Sequence, residues 1–411
     1  MRTKSAERDT CHLMGSCKTT YSKSLHESIE KLLNWIEKRD YKGYEPFDGL
    51  SSCLRPLTCG NWFAERVLQQ LVLRCPFHVR PLIGVRPLQS TKGMGFIARG
   101  YLRMFALTGE LEYKNKAINC LDWLIENRSP GYAGYCWGNH FAYAARPFQL
   151  PKFTPTVVWM SHIGQAFLDA YEILEEPRYL EVASGVCDSI LTDLPREKAS
   201  AGTCISYVPF KQMSLHNSNM LAAAMLARTA EYTGDETALE VAKEAMRYSC
   251  TRQLMSGGWY YGEEETYHWI DNWHTAYNLD SLKCYTDSSQ DKSFESNLQK
   301  GLNFYKEAFF QEDGTPNYYA NRLHLVDIQC ASQAIDTLSY FSTHDDDCLQ
   351  LARRVAKWTI EHMQDKTGYF YYRKLRWKDV KIPMLHWGQA TMFCALSNLL
   401  LKMSDEEDRE D

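Results

Sequence analysis

The chain has 411 residues, of which 45% are hydrophobic and 24% are charged, and its net charge is -5. These proportions exclude a disordered, collagen-like or coiled-coil protein, and the acidic balance argues against a nucleic-acid partner. No run of about 18 apolar residues predicts a membrane span, and the polar N-terminal residues lack the apolar segment of a secretory signal. The 14 cysteines are scattered without a C-x-x-C pair, which predicts reduced thiols and a cytoplasmic protein.

Amphipathic helices are predicted along most of the chain. The first two cover 24–38 and 61–75, and pairs of helices then recur with a period of about 54–66 residues. The first helices of the pairs are predicted at 90–108, 155–175, 214–233, 270–286, 327–342 and 384–402. Most second helices carry an aromatic residue at an equivalent place, and a glycine–aromatic segment follows. These equivalent residues are Trp123, Tyr248, Phe304 and Trp358.

Helical hairpins at this period predict an all-α fold, an (α/α)6 toroid with short β-like glycine–aromatic links. The helices at 24–38 and 61–75 are expected to complete the ring with the last helix. An open solenoid of the same hairpins is the alternative, but six pairs can be counted and no polar capping repeat is evident. We expect one toroid domain over 21–403, preceded by a disordered segment at 1–20 and followed by an acidic disordered tail at 404–411.

Polar residues recur near the starts of the first helices, three or four positions apart, which puts each set on one helix face. In a toroid these helices line the central cavity, so the sets predict a polar pocket on which His162, His216, His274 and His386 converge. The polar candidates for this pocket are His162, His216, Asn217, Asn219, His274, Gln329, His386 and Gln389.

Aromatic residues accompany these sets. The candidates for substrate binding are Trp137, Trp159, Trp259 and Tyr260. Aromatic faces combined with amide and imidazole groups are typical of a sugar-binding cleft, because the rings stack on the flat faces of a ligand. The alternative is that these rings pack between hairpins.

The densest polar stretch lies between Gly257 and Asn278. Asp271 and His274 are one helical turn apart, so the carboxylate can orient the imidazole for acid–base catalysis. No H-E-x-x-H motif is present and no cysteine pair lies near the histidines of the ring, so we expect neither a metal nor another cofactor.

The segment from Gly134 to Leu174, GYCWGNHFAYAARPFQLPKFTPTVVWMSHIGQAFLDAYEIL, resembles a motif block of a bacterial and archaeal family. Its members are associated with exopolysaccharide biosynthesis and often carry the label delta-aminolevulinic acid dehydratase. The stretches SLHNSNMLAAAML and GGWYYGEE…DNWHTAYNLDSL are similar to the same family, and the resemblance covers residues 90–400. True dehydratases of that name are TIM barrels with paired Schiff-base lysines, a pattern that this chain lacks.

The resemblance implies a toroid related to glucuronyl epimerases, uronate lyases and unsaturated-uronyl hydrolases. It also implies a role in the biosynthesis or modification of a polysaccharide. His140 and Arg146 lie within the resembling segment and are added to the candidates for substrate binding.

The main hypothesis is a carbohydrate-active protein that performs acid–base chemistry, as an epimerase or a lyase, on an acidic oligo- or polysaccharide. His216 or His274 would remove the proton next to the carboxylate, with Asp271 as the third catalytic candidate. The groups that would neutralise the carboxylate are Asn217, Asn219, Gln389 and Arg146.

Two other functions remain open. A glycoside hydrolase would need two carboxylates beside the scissile bond, for which Asp271 and Asp169 are the candidates. A non-catalytic glycan-binding or scaffold protein would use the same surface without turnover. A terpenoid cyclase fits the hairpins but not the missing D-x-D-D motif. The sequence does not predict an oligomeric state.

Overall fold

A computed structural model describes residues 22–146, 148–320 and 325–410 of the chain. The segment 1–20, which the sequence predicts to be disordered, lies outside the described residues. Within the described part, helices dominate. Six of them form an inner layer: α3 (Thr91–Thr108), α5 (Val157–Leu174), α7 (His216–Thr233), α9 (Asn272–Ser289), α11 (Ile328–Tyr340) and α13 (Thr391–Glu410). The outer layer contains α1 (22–37), α4 (Leu111–Glu126), α6 (Pro177–Asp193), α8 (Glu236–Cys250), α10 (Glu295–Ala308) and α12 (Asp346–Met363).

The inner helices form a closed ring. Each packs against the next inner helix in the chain, and α13 packs against α3 to close the circle. Each outer helix between α4 and α12 packs against the inner helix that precedes it. The fold is therefore the (α/α)6 toroid that the sequence predicts, and the open solenoid is excluded.

The first helix, α1, lies between α12 and α4 in the outer layer. The Ser28 hydroxyl of α1 donates a hydrogen bond of 2.8 Å to Gln364, directly after α12. On the other side, Lys116 of α4 pairs with Glu37 of α1 at 2.8 Å. The outer layer thus closes through α1, as the sequence predicts for the helix at 24–38.

The helix at 61–75 does not enter the ring, which corrects the sequence-based expectation. It forms α2 (Trp62–Arg74), which packs on the 3-10 turn Asp48–Ser51 and on the strand β1 (Tyr143–Ala144). The Gln69 side chain pairs with both backbone groups of Ala144, at 2.8 and 3.1 Å. A ring of six hairpins is already complete with α1, so an additional amphipathic helix can bury its apolar face only outside the ring.

The boundaries of the inner helices follow from local chemistry. Side-chain oxygens of Ser90, Thr156, Asp271 and Asp327 accept hydrogen bonds from backbone N–H groups of the first turns of α3, α5, α9 and α11. Such caps satisfy N–H groups that have no partner inside the helix. Left-handed residues end four of the helices, at Gly109, Glu175, Gly234 and Gln290, and turn the chain back along the outer layer. All inner helices consequently begin at the same end of the ring.

The links contain little regular β structure. The short strands are β1 with β2 (Gln149–Leu150), β3 (Arg196–Lys198) with β4 (Thr203–Ile205), and β5 (Leu325–Asp327) with β6 (Arg373–Leu375) and β7 (Asp379–Val380). All of these pairings are antiparallel. No helix of the described residues is both long and apolar enough to cross a membrane.

The acidic C-terminal stretch differs from the sequence-based expectation of a disordered tail at 404–411. Helix α13 continues to Glu410, so the described part of this stretch is helical. Glu406 forms an ion pair with Arg353 of α12, and Lys402 pairs with Asp405 at 2.9 Å. These contacts extend the helix along its outer neighbour.

Candidate functional site

Side chains from five segments of the inner layer meet near the start of the inner helices. We call this group the axial cluster; it consists of Lys92, Trp159, His162, His274, Tyr277, Gln329 and His386. Tyr277 is at its centre: its ring centroid lies 4.7 Å from that of His162 and 6.2 Å from that of His274, and its hydroxyl accepts a hydrogen bond of 3.0 Å from Gln329. The Trp159 and His386 rings are 5.8 Å apart. Three of the four predicted histidines therefore come together.

Asp271 fixes the orientation of His274. One carboxylate oxygen caps α9 by accepting the backbone N–H of His274 at 3.0 Å, and the other lies 2.7 Å from Nδ1 of the same residue. Because Trp273 donates its indole N–H to Nε2 of His274 at 3.1 Å, this nitrogen carries a lone pair and the proton resides on Nδ1. The Asp271 side chain is 2% exposed and that of His274 is 20% exposed. This is the arrangement of a carboxylate-oriented base.

A second imidazole, His386, forms an ion-pair contact with the carboxylate of Glu45. It belongs to the π-helical turn Leu385–Ala390 that precedes α13. Glu45 contacts Nδ1 of His386 with one oxygen and accepts its backbone N–H with the other at 3.2 Å. Both side chains are buried, and Nε2 of His386 has no hydrogen-bond partner among the described residues. The cluster thus contains two imidazoles, each oriented by a buried carboxylate through Nδ1.

Lys92 is a member of the cluster that the sequence analysis missed. Its ammonium nitrogen lies 5.0 Å from the ring centroid of Trp159, 5.5 Å from that of Tyr277 and 5.6 Å from that of Phe96. Burial lowers the pKa of Lys92 to about 7, although the attraction of Glu45 opposes the shift. Its position in the sequence could have indicated this role: Lys92 is the second residue of α3, just as the candidate Gln329 is the second residue of α11.

The other buried histidines of this region are held neutral. Burial lowers the pKa of His162 well below its usual value, and the charge of Lys92 lowers it further. His162 Nε2 has no partner among the described residues. Burial also lowers the pKa of His140, while Glu45 attracts its proton and His386 repels it. Because Glu45 and His386 both act electrostatically on His140, His140 lies close to the axial cluster.

His216 does not join the other histidines. Its Nε2 lies 2.8 Å from Glu263, and its Nδ1 lies 3.2 Å from the Ser249 hydroxyl at the end of α8. The hydrogen bond from His216 lowers the pKa of Glu263, with a smaller contribution from Arg252. His216 is the first residue of α7, and its ring points to the outer helix rather than to the axis. There it anchors the loop that contains Glu263.

Asn219 and Gln389 use their amides to hold backbone. Asn219 accepts the Ile205 N–H at 2.9 Å and donates to the Ala245 carbonyl at 2.8 Å. Gln389 accepts the N–H of Phe370 at 2.8 Å and donates to its carbonyl at 2.9 Å. Both amides therefore fasten a link segment to an inner helix, and their hydrogen-bonding groups are engaged inside the protein.

Trp137 and Trp259 occupy equivalent packing positions. Their side chains are buried, and each indole N–H donates to a backbone carbonyl near the end of an outer helix, at Leu124 and Ser249 respectively. These two tryptophans pack between hairpins, which is the alternative that the sequence analysis left open. Trp159, in contrast, belongs to the axial cluster.

Three further candidates lie nearby. The exposed Arg146 stacks its guanidinium 5.1 Å from the Trp269 ring, whose indole N–H donates to Asp271 at 3.0 Å. Arg146 is thus at the rim beside Asp271. Tyr260 stacks on His268 with centroids 4.2 Å apart, in a surface loop. Asn217 is buried, and its side-chain oxygen has no partner among the described residues.

A cavity of about 590 Å³ lies toward the other end of the ring. Phe96, His162 and Tyr277 line its inner part, and its wall contains ion pairs of Asp169 with Arg99 and Arg228, at 2.6 and 2.8 Å. Burial raises the pKa of Asp169, but these two arginines outweigh burial and hold it below its usual range. The cavity is thus polar, and its inner end touches the axial cluster.

No group of three or more His, Cys, Asp or Glu side chains in the described part of the chain is arranged to hold a metal ion.

Several solved structures have a similar fold. A sugar epimerase from a ruminal bacterium is 12% identical, covers 75% of this chain and 87% of its own, and has a TM-score of 0.57. The GH76 α-mannanase of Bacteroides thetaiotaomicron is 13% identical, with coverages of 78% and 88% and a TM-score of 0.59. The cellobiose 2-epimerase of Bacillus thermoamylovorans is 12% identical, with coverages of 76% and 87% and a TM-score of 0.57.

No protein-family model matches the sequence, and neither does any curated protein. The family resemblance of the segment Gly134 to Leu174 therefore rests on its sequence blocks alone. At 10–13% identity the structural similarities establish the toroid fold, which sugar epimerases and glycoside hydrolases share with this chain.

Proposed function

We propose that the axial cluster is the active site of a carbohydrate-modifying enzyme that moves a proton to and from a sugar carbon next to a carbonyl or carboxyl group. One observation carries the proposal: two imidazoles, His274 and His386, are each oriented through Nδ1 by a buried carboxylate. Proton transfer at carbon needs a base whose charged form is stabilised and whose lone pair faces the substrate. Asp271 and Glu45 supply that stabilisation.

In this mechanism His274 removes the proton with Nε2, after the substrate displaces the Trp273 indole from that nitrogen. The resulting imidazolium is stabilised by Asp271. His386 enters this step as an imidazolium ion beside Glu45 and donates its own Nε2 proton to the other face of the carbon, which inverts the configuration; this Nε2 has no partner among the described residues. After the reaction His274 carries the proton taken from the sugar and His386 is neutral, so the two imidazoles have exchanged roles. If the carbon next to the reacting one carries a leaving group, the same proton removal leads to elimination. Epimerase and lyase activities therefore share this site.

The aromatic surroundings support a sugar as the substrate. The rings of Trp273 and Trp387 are 5.8 Å apart, and each lies beside one of the two imidazoles. Aromatic faces bind the apolar faces of sugar rings. Sugar epimerase and cellobiose 2-epimerase are the names of two proteins with the same fold, which favours epimerisation as the first activity to test.

Arg146 favours an acidic sugar as one substrate class, since its guanidinium at the rim beside Trp269 can pair with a carboxylate. A role in polysaccharide biosynthesis follows from the sequence resemblance and is part of this proposal. The cytoplasm is the proposed compartment, supported by the absence of a disulfide among the twelve described cysteines.

The hydrolase alternative has less support. Asp169 is the thirteenth residue of α5, whereas Asp271 caps the start of α9. A rise of about 1.5 Å per residue separates the two carboxylates by about 18 Å along the ring axis, compared with about 5–9.5 Å in glycosidases. Asp169 is moreover engaged by Arg99 and Arg228.

Deuterium incorporation tests the proposed function. Cellobiose, D-mannose and uronate-containing oligosaccharides are incubated with the protein in D2O and analysed by mass spectrometry, with ultraviolet absorbance to detect unsaturated uronates. We expect deuterium uptake or an unsaturated product with the wild type and neither with His274→Gln. His362→Gln is the matched control, because this histidine lies on the outer helix α12 and stacks on Trp358.

Two results would contradict the proposal. Uptake that persists at the wild-type rate in His274→Gln and His386→Gln would show that the imidazoles do not transfer the proton. Binding of a glycan without uptake or elimination would instead favour the non-catalytic binding protein.

A further inference from the structure

We propose that the amine of Lys92 forms an imine with the carbonyl carbon of an open-chain aldose, so that the axial cluster holds its substrate covalently. The sugar as substrate rests on the proposed function. The covalent step rests on the surroundings of Lys92 itself.

These surroundings offer an ammonium ion only the faces of aromatic rings in place of the water that burial removes. Lys92 is 3% exposed, and within the described residues its nitrogen has no hydrogen-bond acceptor and no ion-pair partner. Three aromatic rings, at 5.0–5.6 Å, surround it instead. Burial lowers the pKa of Lys92 although Glu45 attracts its proton, and the neutral amine is the nucleophile in imine formation.

A second buried lysine shows the contrast. Lys283 is 8% exposed, but its nitrogen lies 2.8 Å from Asp287. The carboxylate of Asp287 is thus a hydrogen-bonded partner of the Lys283 nitrogen. Both lysines are buried. Of the two, Lys283 has a carboxylate within ion-pair distance and Lys92 has none among the described residues.

Proton-transfer groups are present beside Lys92. Glu45 acts electrostatically on Lys92 and contacts His386. The Nε2 atoms of His386 and His162 are both buried without a hydrogen-bond partner among the described residues. Imine formation needs a group that donates a proton to the carbonyl oxygen and another that takes a proton from the attacking nitrogen. These two imidazoles can fill both roles.

The step is balanced without an oxidant or reductant. The nitrogen lone pair of Lys92 forms a bond to the aldehyde carbon, and the C=O π electrons move to the oxygen, which takes up a proton. The nitrogen gives up one proton, and the resulting carbinolamine loses its hydroxyl group as water after protonation. The product is an iminium ion between Lys92 and carbon 1 of the sugar, and hydrolysis by water reverses every step.

An iminium ion makes the neighbouring carbon more acidic. Its positive charge withdraws electrons from the C–H bond at carbon 2, so a weak base such as an imidazole can remove that proton. The His274 ring lies 6.2 Å from the ring of Tyr277, which is also one of the three rings around Lys92, and the His274 side chain is 20% exposed. Lys92 and His274 would thus activate adjacent atoms of one substrate.

Reductive trapping tests the covalent site. The full-length protein is incubated near pH 7 with D-glyceraldehyde or D-mannose and sodium cyanoborohydride, which reduces imines to stable amines. Intact mass spectrometry is expected to show one rapid addition of the mass of the aldehyde less one oxygen atom. Peptide mapping is expected to place it on Lys92, at least tenfold faster than on Lys283 or on exposed lysines.

Two variants of Lys92 and the separate measurement of deuterium uptake distinguish a failure of the covalent site from a failure of the proposed function. Lys92→Arg keeps a cation, and Lys92→Met fills the space between the rings of Phe96, Trp159 and Tyr277. Neither variant is expected to show the rapid covalent addition of the aldehyde. Slow labelling spread over exposed lysines, with Lys92 unlabelled in the wild type, would overturn the covalent site. Because trapping is measured without turnover, that result is distinguishable from a lack of deuterium uptake, which would contradict the proposed function instead.

Discussion

The carboxylate of Glu45 contacts the imidazole of His386, although the two residues lie 341 positions apart in the chain. Glu45 belongs to the segment between α1 and α2, and His386 belongs to the turn before the last inner helix. Both side chains are 2% exposed. A segment outside the ring helices therefore supplies the carboxylate that contacts one of the two imidazoles.

Replacing this carboxylate tests its contribution to proton transfer. Glu45→Gln keeps the shape of the side chain but removes the charge that stabilises an imidazolium. We expect deuterium uptake to fall by about 10²- to 10⁴-fold. Glu263→Gln is the matched control, since Glu263 pairs with His216 outside the axial cluster. Uptake that falls equally in both variants would argue against a special role for Glu45.

Asp271 is expected to contribute to both stability and activity. Asp271→Ala removes the cap of α9 and should lower the free energy of unfolding by about 0.5–2 kcal/mol; it also removes the partner of His274. Asp235→Ala removes only a cap, because Asp235 accepts the Ala238 N–H at the start of α8. Urea unfolding should therefore show a loss in both variants, whereas deuterium uptake should be abolished only in Asp271→Ala. Full uptake by Asp271→Ala would contradict the assignment.

The stability of the protein should depend on the protonation of Lys92. Burial lowers the pKa of this amine from 10.5 to about 7, so between these values the unfolded chain carries a proton that the folded chain lacks. This difference makes stability rise with pH in that window, and the full penalty is present below pH 7.

Lys92→Met removes that penalty. We expect the variant to be more stable than the wild type by about 3–5 kcal/mol at pH 6, and by about 3 kcal/mol less than that at pH 9. Urea unfolding at the two pH values measures both differences. Lys283→Met, which breaks the ion pair with Asp287, should not stabilise the protein at either pH. An advantage of Lys92→Met that stays constant with pH would show that Lys92 is not neutral in the folded state.

Asn219 should matter mainly for stability. Asn219→Ala leaves the Ile205 N–H and the Ala245 carbonyl without partners in the interior, which should lower the free energy of unfolding by about 2–4 kcal/mol. The comparison is Asn127→Ala, whose exposed amide donates only to the Trp123 carbonyl. Its loss should change stability by less than about 0.5 kcal/mol. If Asn219→Ala and Asn127→Ala lower the stability to thermal unfolding equally, the hydrogen bonds of Asn219 do not contribute as proposed.

The sequence by itself determined the helices and the repeat. The predicted inner helices at 155–175 and 214–233 agree with Val157–Leu174 and His216–Thr233 within two residues, because periodicity, caps and left-handed turns act over a few positions. The pairing of Asp271 with His274 was predictable for the same reason, since three residues along a helix fix the distance between two side chains.

Only the tertiary structure decided which side chains face the ring axis. His216 begins α7 and His386 lies in the turn before α13, yet the ring of His216 turns toward α8 and that of His386 toward the axis. That choice depends on the rotation of each helix in the ring, which packing determines and local spacing does not. The cage around Lys92 and the contact of Glu45 with His386 likewise arise only when distant segments meet. Local hydrogen bonds and periodicity fixed the helices, whereas burial of apolar surface around a closed ring assembled the candidate site.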